Sequence, residues 1–528
     1  MDDPLPSPTR RGPDPGQWVL LAASLFAVLG LLVQAWRLWS LTASYDQGIF
    51  LQVLWNSWHG HPFESSLSSQ LSSSVLHQGA LPDPAYRRLG QHFTPALLLW
   101  VPLLPLLGPW SLPVVQVGLM TAAGLVLHRL ARGLLPAGLP AGLAAAIACS
   151  WYAAQAVIGP TWSNFHDLCQ LPLLVFALLL GWQERRWWLL LTAALLLPLV
   201  REDTGVVLFG VALWLGLRGG APRWLAVVLA LWGAGWTVLV TAVLMPAVSD
   251  DVSRRFMVEN FGQYTGGARE AGSLEVLARL LGQPLRLLQE LVSPPDRTVG
   301  YLLAQWLPLM GVPALSIDAW LLAGLPLSGL LLAQGHNDPL AITIRYALLV
   351  APGFFAGAVF WWRRHGDLFA RPRLRAVWKG CLILSLLLTL GSNPNRSLSF
   401  LVPDSLRPWV QLSFAEQARH GLAARRALAV IPPGASVSAT TPLVPLLAQR
   451  RQLLRFPGAL AWRGPDGQGR PVDWVAADLR LPALRAAAFA TDARQARELP
   501  LWVQTLEARG WQRRASEDGV VVLQRPGR

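Results

Sequence analysis

Apolar runs long enough to cross a membrane recur through the first 391 residues, and that feature excludes most ways a 528-residue chain can fold. Inside hydrocarbon every backbone N–H and C=O must find a partner within the protein, so runs of this length are read as helices. They lie at 18–36, 110–127, 134–157, 169–183, 187–200, 204–217, 224–245, 299–315, 317–334, 344–361 and 376–391. The expected fold is mainly α: a polytopic bundle of about 11 spans over 18–391. Composition agrees, because a chain that is 53% hydrophobic and 14% charged has too little charge to coat a soluble multidomain protein. The polar, Pro-rich residues 1–17 are expected to be a disordered cytoplasmic tail. No small-residue cleavage site follows Trp36, so the first run is read as an anchor.

The charges order these spans. Lys plus Arg is 44 against 30 acidic residues, a formal excess of +14. In a soluble protein this would point to nucleic acid, but here the basic residues crowd into short connectors and no nucleic-acid partner is expected. His128/Arg129/Arg132, Arg185/Arg186, Arg218/Arg223 and the run Arg363 to Lys379 all fall on the side of the N-terminus, which makes that side cytoplasmic. The 14-residue runs 187–200 and 204–217 rise only about 21 Å each. Read as one broken crossing, they would split Arg185/Arg186 from Arg218/Arg223; two short crossings keep both pairs together and are preferred. The 26 Trp suit two membrane–water interfaces. Cys149, Cys169 and Cys381 match neither a zinc site nor a disulfide framework.

The opposite face then carries the loops 37–109 and 246–298, the connectors 158–168, 201–203 and 335–343, and everything from 392 onward. Within the first loop, the Pro-interrupted stretch 95–107 is read as an interfacial or re-entrant helix, and 273–292 as an amphipathic surface helix. Residues 392–528 alternate helical patterns (413–430, 494–509) with β-like runs at Ser436–Thr440, Gln452–Phe456, Asp473–Asp478 and a hairpin over 511–524. A small extracytoplasmic α/β domain is expected there.

The acidic and histidine motifs collect on that same face. They are Tyr45-Asp46-Gln47, Gln91-His92-Phe93, Phe165-His166-Asp167 and Arg201-Glu202-Asp203. Ionisable groups at membrane depth are costly unless used. Each motif also has a structural reading. Asp46 opens an amphipathic helix, although Ser44 with Gln47 fits a capping box that would release it. His92 stands before Thr94-Pro95 at a helix entrance, Asp167 and Asp203 can cap, and Arg201 can snorkel to head groups. His336-Asn337-Asp338-Pro339 reads as a cap with a first-turn proline, and Arg345-Tyr346 as an interface anchor. No phosphate-binding Gly loop, nucleophile elbow or His-Glu-x-x-His is present. A carboxylate here suits proton abstraction from an acceptor hydroxyl or amine. Arg, His or a carboxylate-held divalent cation suits a phosphate leaving group on a lipid tail.

The ordered set Tyr45-Asp46-x-Gly48-Ile49-Phe50 with Trp55-Asn56, His92-Phe93 with Pro102 and Gln116, Phe165-His166-Asp167, Glu202-Asp203 and Val437-x-Ala439-Thr440 … Arg451 … Phe456-Pro457 … Asp478 covers most of the chain. It resembles a family of bacterial and archaeal multi-pass membrane proteins known as a domain of unknown function. That family is similar in layout to the GT-C glycosyltransferases, which use polyprenyl-phosphate sugars and keep an essential acidic residue in the first extracytoplasmic loop. The resemblance implies that Asp46 is that residue, acting as base or metal ligand; in the superfamily it often has an acidic neighbour, whereas here Gln47 follows.

The expectation is therefore an inner-membrane glycosyltransferase-like protein moving a sugar from a polyprenyl-phosphate donor to a periplasmic or cell-envelope acceptor. Asp46, His166 and Asp167 are the catalytic candidates. Tyr45, His92, Arg201, Glu202, Asp203 and Tyr346 are the substrate-binding candidates, and the metal and cofactor requirement stays open. The rivals are a non-catalytic assembly or sensing protein and a lipid or solute transporter. A transporter is expected to show paired repeats with polar breaks at the midplane, whereas here the charges lie at helix ends.

Overall fold

The computed structural model describes residues 14–136, 139, 142–267, 271–333 and 339–527; His336, Asn337 and Asp338 lie outside them. The fold is mainly helical. Among the described residues, five helices are long and apolar enough to cross a membrane: Pro15–Trp39, Pro95–Leu134, Arg223–Ser249, Arg345–Ala370 and Pro372–Gly391. Gly142–Ala153 and Gln155–Trp162, bent by 42°, make a sixth if taken as one span. Four shorter apolar helices run beside them at Asp167–Gln183, Trp187–Leu199, Thr204–Leu217 and Ile317–Leu332.

The stretches 299–315 and 95–107 differ from expectation. The run 299–315 is not one helix: Pro295–Trp306 gives way to a 3-10 turn at Leu307–Leu309 and then to left-handed Met310 and Gly311, before a last turn at Val312–Leu315. Pro308 and Pro313 each lack the N–H that a continuous ladder needs. The stretch 95–107 does not stand apart from the bundle either. Pro95–Leu103 winds as a 3-10 helix containing Pro102 and runs on through Leu104–Leu107 into Ser111–Leu134.

Helices approach closely where side chains are small, the usual route to tight packing where lipid supplies no hydrophobic drive. A Cβ on Gly357 would lie 2.2 Å from Ala319 Cα, so Ala351–His365 and Ile317–Leu332 touch backbone to backbone there. The basic connectors do meet at one end of the bundle. Glu184 accepts Arg129 at 2.7 and 2.9 Å and Arg186 at 2.9 Å, while Asp318 joins Arg218 to Arg364.

At the other end sits a five-stranded sheet, in the order Leu453–Arg455, Val437–Ala439, Trp474–Asp478, Val520–Gln524, Gln512–Glu517. The first three strands are parallel and the last two are antiparallel to their neighbours. Helices Phe414–Leu428 and Ala490–Ala508 accompany it, close to the expected patterns. Two short hairpins, 405–410 and 461–471, were not legible from periodicity.

This sheet is not an appendage. Val437, Ala439, Val444 and Leu453 belong to the same buried apolar cluster as the transmembrane helices. Arg425 donates to the carbonyls of Leu38 and Trp39 at 2.7 and 2.9 Å, Gln52 donates to that of Arg450 at 3.0 Å, and Arg451 pairs with Glu64 at 2.9 Å.

Within the sheet region His420 is buried between two carboxylates, Nε2 to Asp478 at 3.1 Å and Nδ1 to Asp518 at 3.0 Å. Burial pulls the imidazole down, but the bonds to Asp478 and Asp518 outweigh it and raise its pKa. The stabilisation is complete below the ordinary histidine value of about 6.5 and is lost as pH rises through the raised one. Hydrogen exchange of the full chain should therefore show protection of 414–524 falling as pH rises above about 6.5. In His420→Gln that dependence should vanish, and the variant should be less stable by about 1–3 kcal/mol, because Asp478 stays buried with its partner gone.

Candidate functional site

The site begins with the helix Tyr45–Trp58, and its docking explains most of the first motif. A Cβ on Gly48 would lie 2.4 Å from Val444 Cγ1, so only glycine lets this helix press against the sheet region. Tyr45 is buried and its hydroxyl donates to the Leu67 carbonyl at 2.6 Å, which commits it to the loop's own packing. The expected capping box is absent. Ser44 Oγ instead accepts from Asn164 Nδ2 at 2.6 Å, and Gln47 Oε1 accepts the Phe165 N–H at 2.7 Å. These two bonds tie the loop 37–109 to the connector 158–168. Asp46, in the first helical turn where a carboxylate is favoured, remains 43% exposed, and Oδ2 accepts Arg345 Nη1 at 3.1 Å.

The third motif holds the end of the first loop. Glu202 is buried, with Oε1 2.8 Å from His92 Nδ1 and Oε2 accepting the Phe93 N–H at 3.0 Å. Burial alone would raise its carboxyl; the charge of His92, its hydrogen bond and Arg201 reverse this and hold the pKa below the usual range. Arg201 is buried and donates to Asp203 through Nε at 2.8 Å and through Nη2, so it does not snorkel. Its guanidinium lies 5.3 Å from the centre of the Tyr346 ring, and that of Arg345 lies 5.1 Å from the same ring. A single aromatic thus carries two arginines. Arg345-Tyr346, expected as an anchor, is part of the site.

His166 and Asp167 lie deeper. Both are about 2% exposed. The His166 backbone N–H donates to Gln116 Oε1 at 3.2 Å, and its ring Nε2 is 3.3 Å from the Pro160 carbonyl. Burial, with Arg345 adding to it, lowers its pKa to about 4, so the ring is neutral near pH 7. Sequence reasoning paired the two as a base or as metal ligands. His166 Nδ1 and Asp167 Oδ2 are indeed both buried without a hydrogen-bond partner, an unusual state for such groups. Among the described residues, no three His, Cys, Asp or Glu side chains gather as a metal site.

Arg88 escaped sequence reasoning. It is 6% exposed, donates to Thr94 Oγ1 at 3.2 Å and lies 4.4 Å over the Phe50 ring. Burial pulls its pKa down, opposed by the charges of Asp167, Glu202 and Asp46. Its neighbour Arg87 is equally basic, and only the fold distinguishes the two. The signal available in sequence was its place four residues before His92.

One end of the bundle thus gathers three arginines, Arg88, Arg201 and Arg345, with the carboxylates of Asp46, Asp167, Glu202 and Asp203 and the imidazole of His92. A family model described as "Predicted membrane protein (DUF2079)" matches residues 37–522. The chain belongs to the DUF2079 family. No curated protein matches it. Among solved structures, ArnT from Cupriavidus metallidurans, crystallised with undecaprenyl phosphate, is 14% identical. The match covers 96% of this chain and 98% of ArnT with a TM-score of 0.46, too loose a likeness to carry an argument about activity. In this DUF2079 protein the family model reaches from Arg37 through all four motifs into the last strand of the sheet.

Proposed function

We propose that this DUF2079 protein is a GT-C-like membrane glycosyltransferase, taking a sugar from a polyprenyl-phosphate donor and passing it to an acceptor on the extracytoplasmic face of a bacterial inner membrane. The observation that carries the reading is the open Asp46 carboxylate, 3.1 Å from Arg345 and beside a cluster of buried arginines. Asp46 takes the proton of an acceptor hydroxyl as its oxygen attacks the anomeric carbon. The bond from that carbon to the phosphate oxygen breaks, and its electron pair leaves with the lipid phosphate. Arg345 and Arg201, braced by Tyr346, stabilise the charge on that leaving group. Arg88 adds to the positive field, and Glu202 acts indirectly by fixing His92 and Phe93. His166, neutral at working pH, is a hydrogen-bonding partner and not an acid. With the first-loop face extracytoplasmic, the basic connectors and the N-terminus are cytoplasmic.

The test is transfer of labelled sugar from native lipid-linked donors in membranes that contain or lack the protein. Transfer that depends on the protein supports the reading, and identical traces from the two membranes overturn it. Once activity is in hand, Arg345→Met should raise KM for the donor about 10- to 100-fold, the cost of one charged hydrogen bond, with a smaller change in kcat. A kcat loss with KM unchanged would place Arg345 elsewhere in the reaction.

A further inference from the structure

At the end of the bundle opposite Asp46, the helices Leu171–Gln183, Thr204–Leu217 and Ala351–His365 finish around a cavity of about 760 Å³. Four arginines line it, Arg185, Arg218, Arg363 and Arg364, against one carboxylate, Asp318. Asp318 is 1% exposed, in the first turn of Ile317–Leu332. It accepts Arg218 Nε at 2.7 Å, Trp214 Nε1 at 2.9 Å and Arg364 Nη2. That carboxylate is therefore satisfied, and it holds two of the guanidinium groups in fixed positions on the cavity wall.

The other two are uncommitted. Among the described residues, no carboxylate pairs with Arg185 or Arg363, although Glu184 next door pairs with both Arg129 and Arg186. A topology signal alone needs arginines only in the connector. It does not need a polar cavity that keeps two of them unpaired beside two that are clamped. Guanidinium groups gathered in this way suit a phosphate, whose oxygens accept their forked donors. Gln183, also on the wall, has its Oε1 buried without a hydrogen-bond partner, an acceptor waiting for a donor such as a hydroxyl.

The depth of the cavity indicates the source of that phosphate. Trp187 and Trp188, just after Arg185, and Trp224, after Arg218, are 46%, 66% and 64% exposed. Exposed indoles on membrane helices settle at head-group level. We propose that this cavity binds the phosphate of an anionic phospholipid whose head group carries a hydroxyl. The site is separate from the outer-face cluster, so it stands or falls independently of the transferase reading.

The experiment is thermal unfolding of the purified full chain in detergent, titrated with short-chain phosphatidylglycerol, phosphatidylcholine or inorganic phosphate. Phosphatidylglycerol should raise the Tm of the wild type and phosphatidylcholine should not. In Arg185→Ala/Arg363→Ala the midpoint of that titration should move up about tenfold or more, while Arg373→Ala, outside the cavity, behaves as wild type. Without lipid the double variant should unfold with the wild type, because neither side chain has an ion pair to lose. Arg185→Lys/Arg363→Lys, which keeps charge but loses the fork, should bind with intermediate strength and so separate lost binding from lost folding. Inorganic phosphate reproducing the whole shift would overturn the lipid as its source. Equal responses to the two lipids, or a double alanine variant that titrates as wild type, would overturn the site.

Discussion

Asp46→Asn is expected to lower the rate of sugar transfer by about 10²–10⁴-fold, the usual contribution of a positioned general base. The same change should leave the protein folded. Asp46 is 43% exposed, and the Arg345 side chain with which it pairs is 26% exposed. Such a pair contributes about 0–1 kcal/mol, so Tm in detergent should move by a few degrees at most. Activity and stability are thereby decoupled, which makes the experiment decisive. A rate that falls with Tm unchanged identifies a catalytic carboxylate. A rate that survives, with membranes verified to carry equal protein, makes the Asp46–Arg345 pair a strap between the first loop and the Arg345–Ala370 helix, and the non-catalytic reading of the family gains ground.

Glu202→Ala should show the opposite pattern, a large loss of stability. Both oxygens of Glu202 are engaged, one with His92 and one with the Phe93 N–H, and the residue is 7% exposed. Removing it leaves a buried N–H unpaired and removes the counter-charge beside Arg201, a class of change that costs about 3–5 kcal/mol. The first loop should detach at its His92 end, and protease cleavage between 88 and 94 should become faster. Glu202→Gln, which keeps an acceptor but loses the charge, should fall between the two. Because the folded carboxyl titrates below its ordinary range, its contribution is complete above about pH 4.5 and disappears as pH falls through the lowered value. Strong acid, near pH 2, should accordingly mimic Glu202→Gln. A variant as stable as the wild type at neutral pH would show that the first loop is held without this network.

The amino-acid sequence by itself determined the class of fold, because apolar run length and the one-sided placement of Arg leave a helical bundle as the solution in a membrane. It also determined that Asp46, His92, His166 and Glu202 share an end, since each stands at the same side of an alternating set of runs. Most strands around 437–524 were legible for a similar reason: a two-residue alternation is a local property.

Tertiary structure alone decided which of these groups meet. Ser44 and Gln47 have the spacing of a capping box, yet both are captured by the second loop, because Asn164 and the Phe165 N–H lie within reach only after folding. Arg345 lies 299 residues from Asp46 along the chain, and no period or spacing links them. Arg88 and Arg87 read alike as sequence, and burial separates them. The break at Leu307–Gly311 was visible as prolines in an apolar run, but hydropathy is blind to a missing N–H. Hydrophobic pattern is written locally and survives in one dimension; charge pairing depends on distances in space, which the chain acquires when its helices pack.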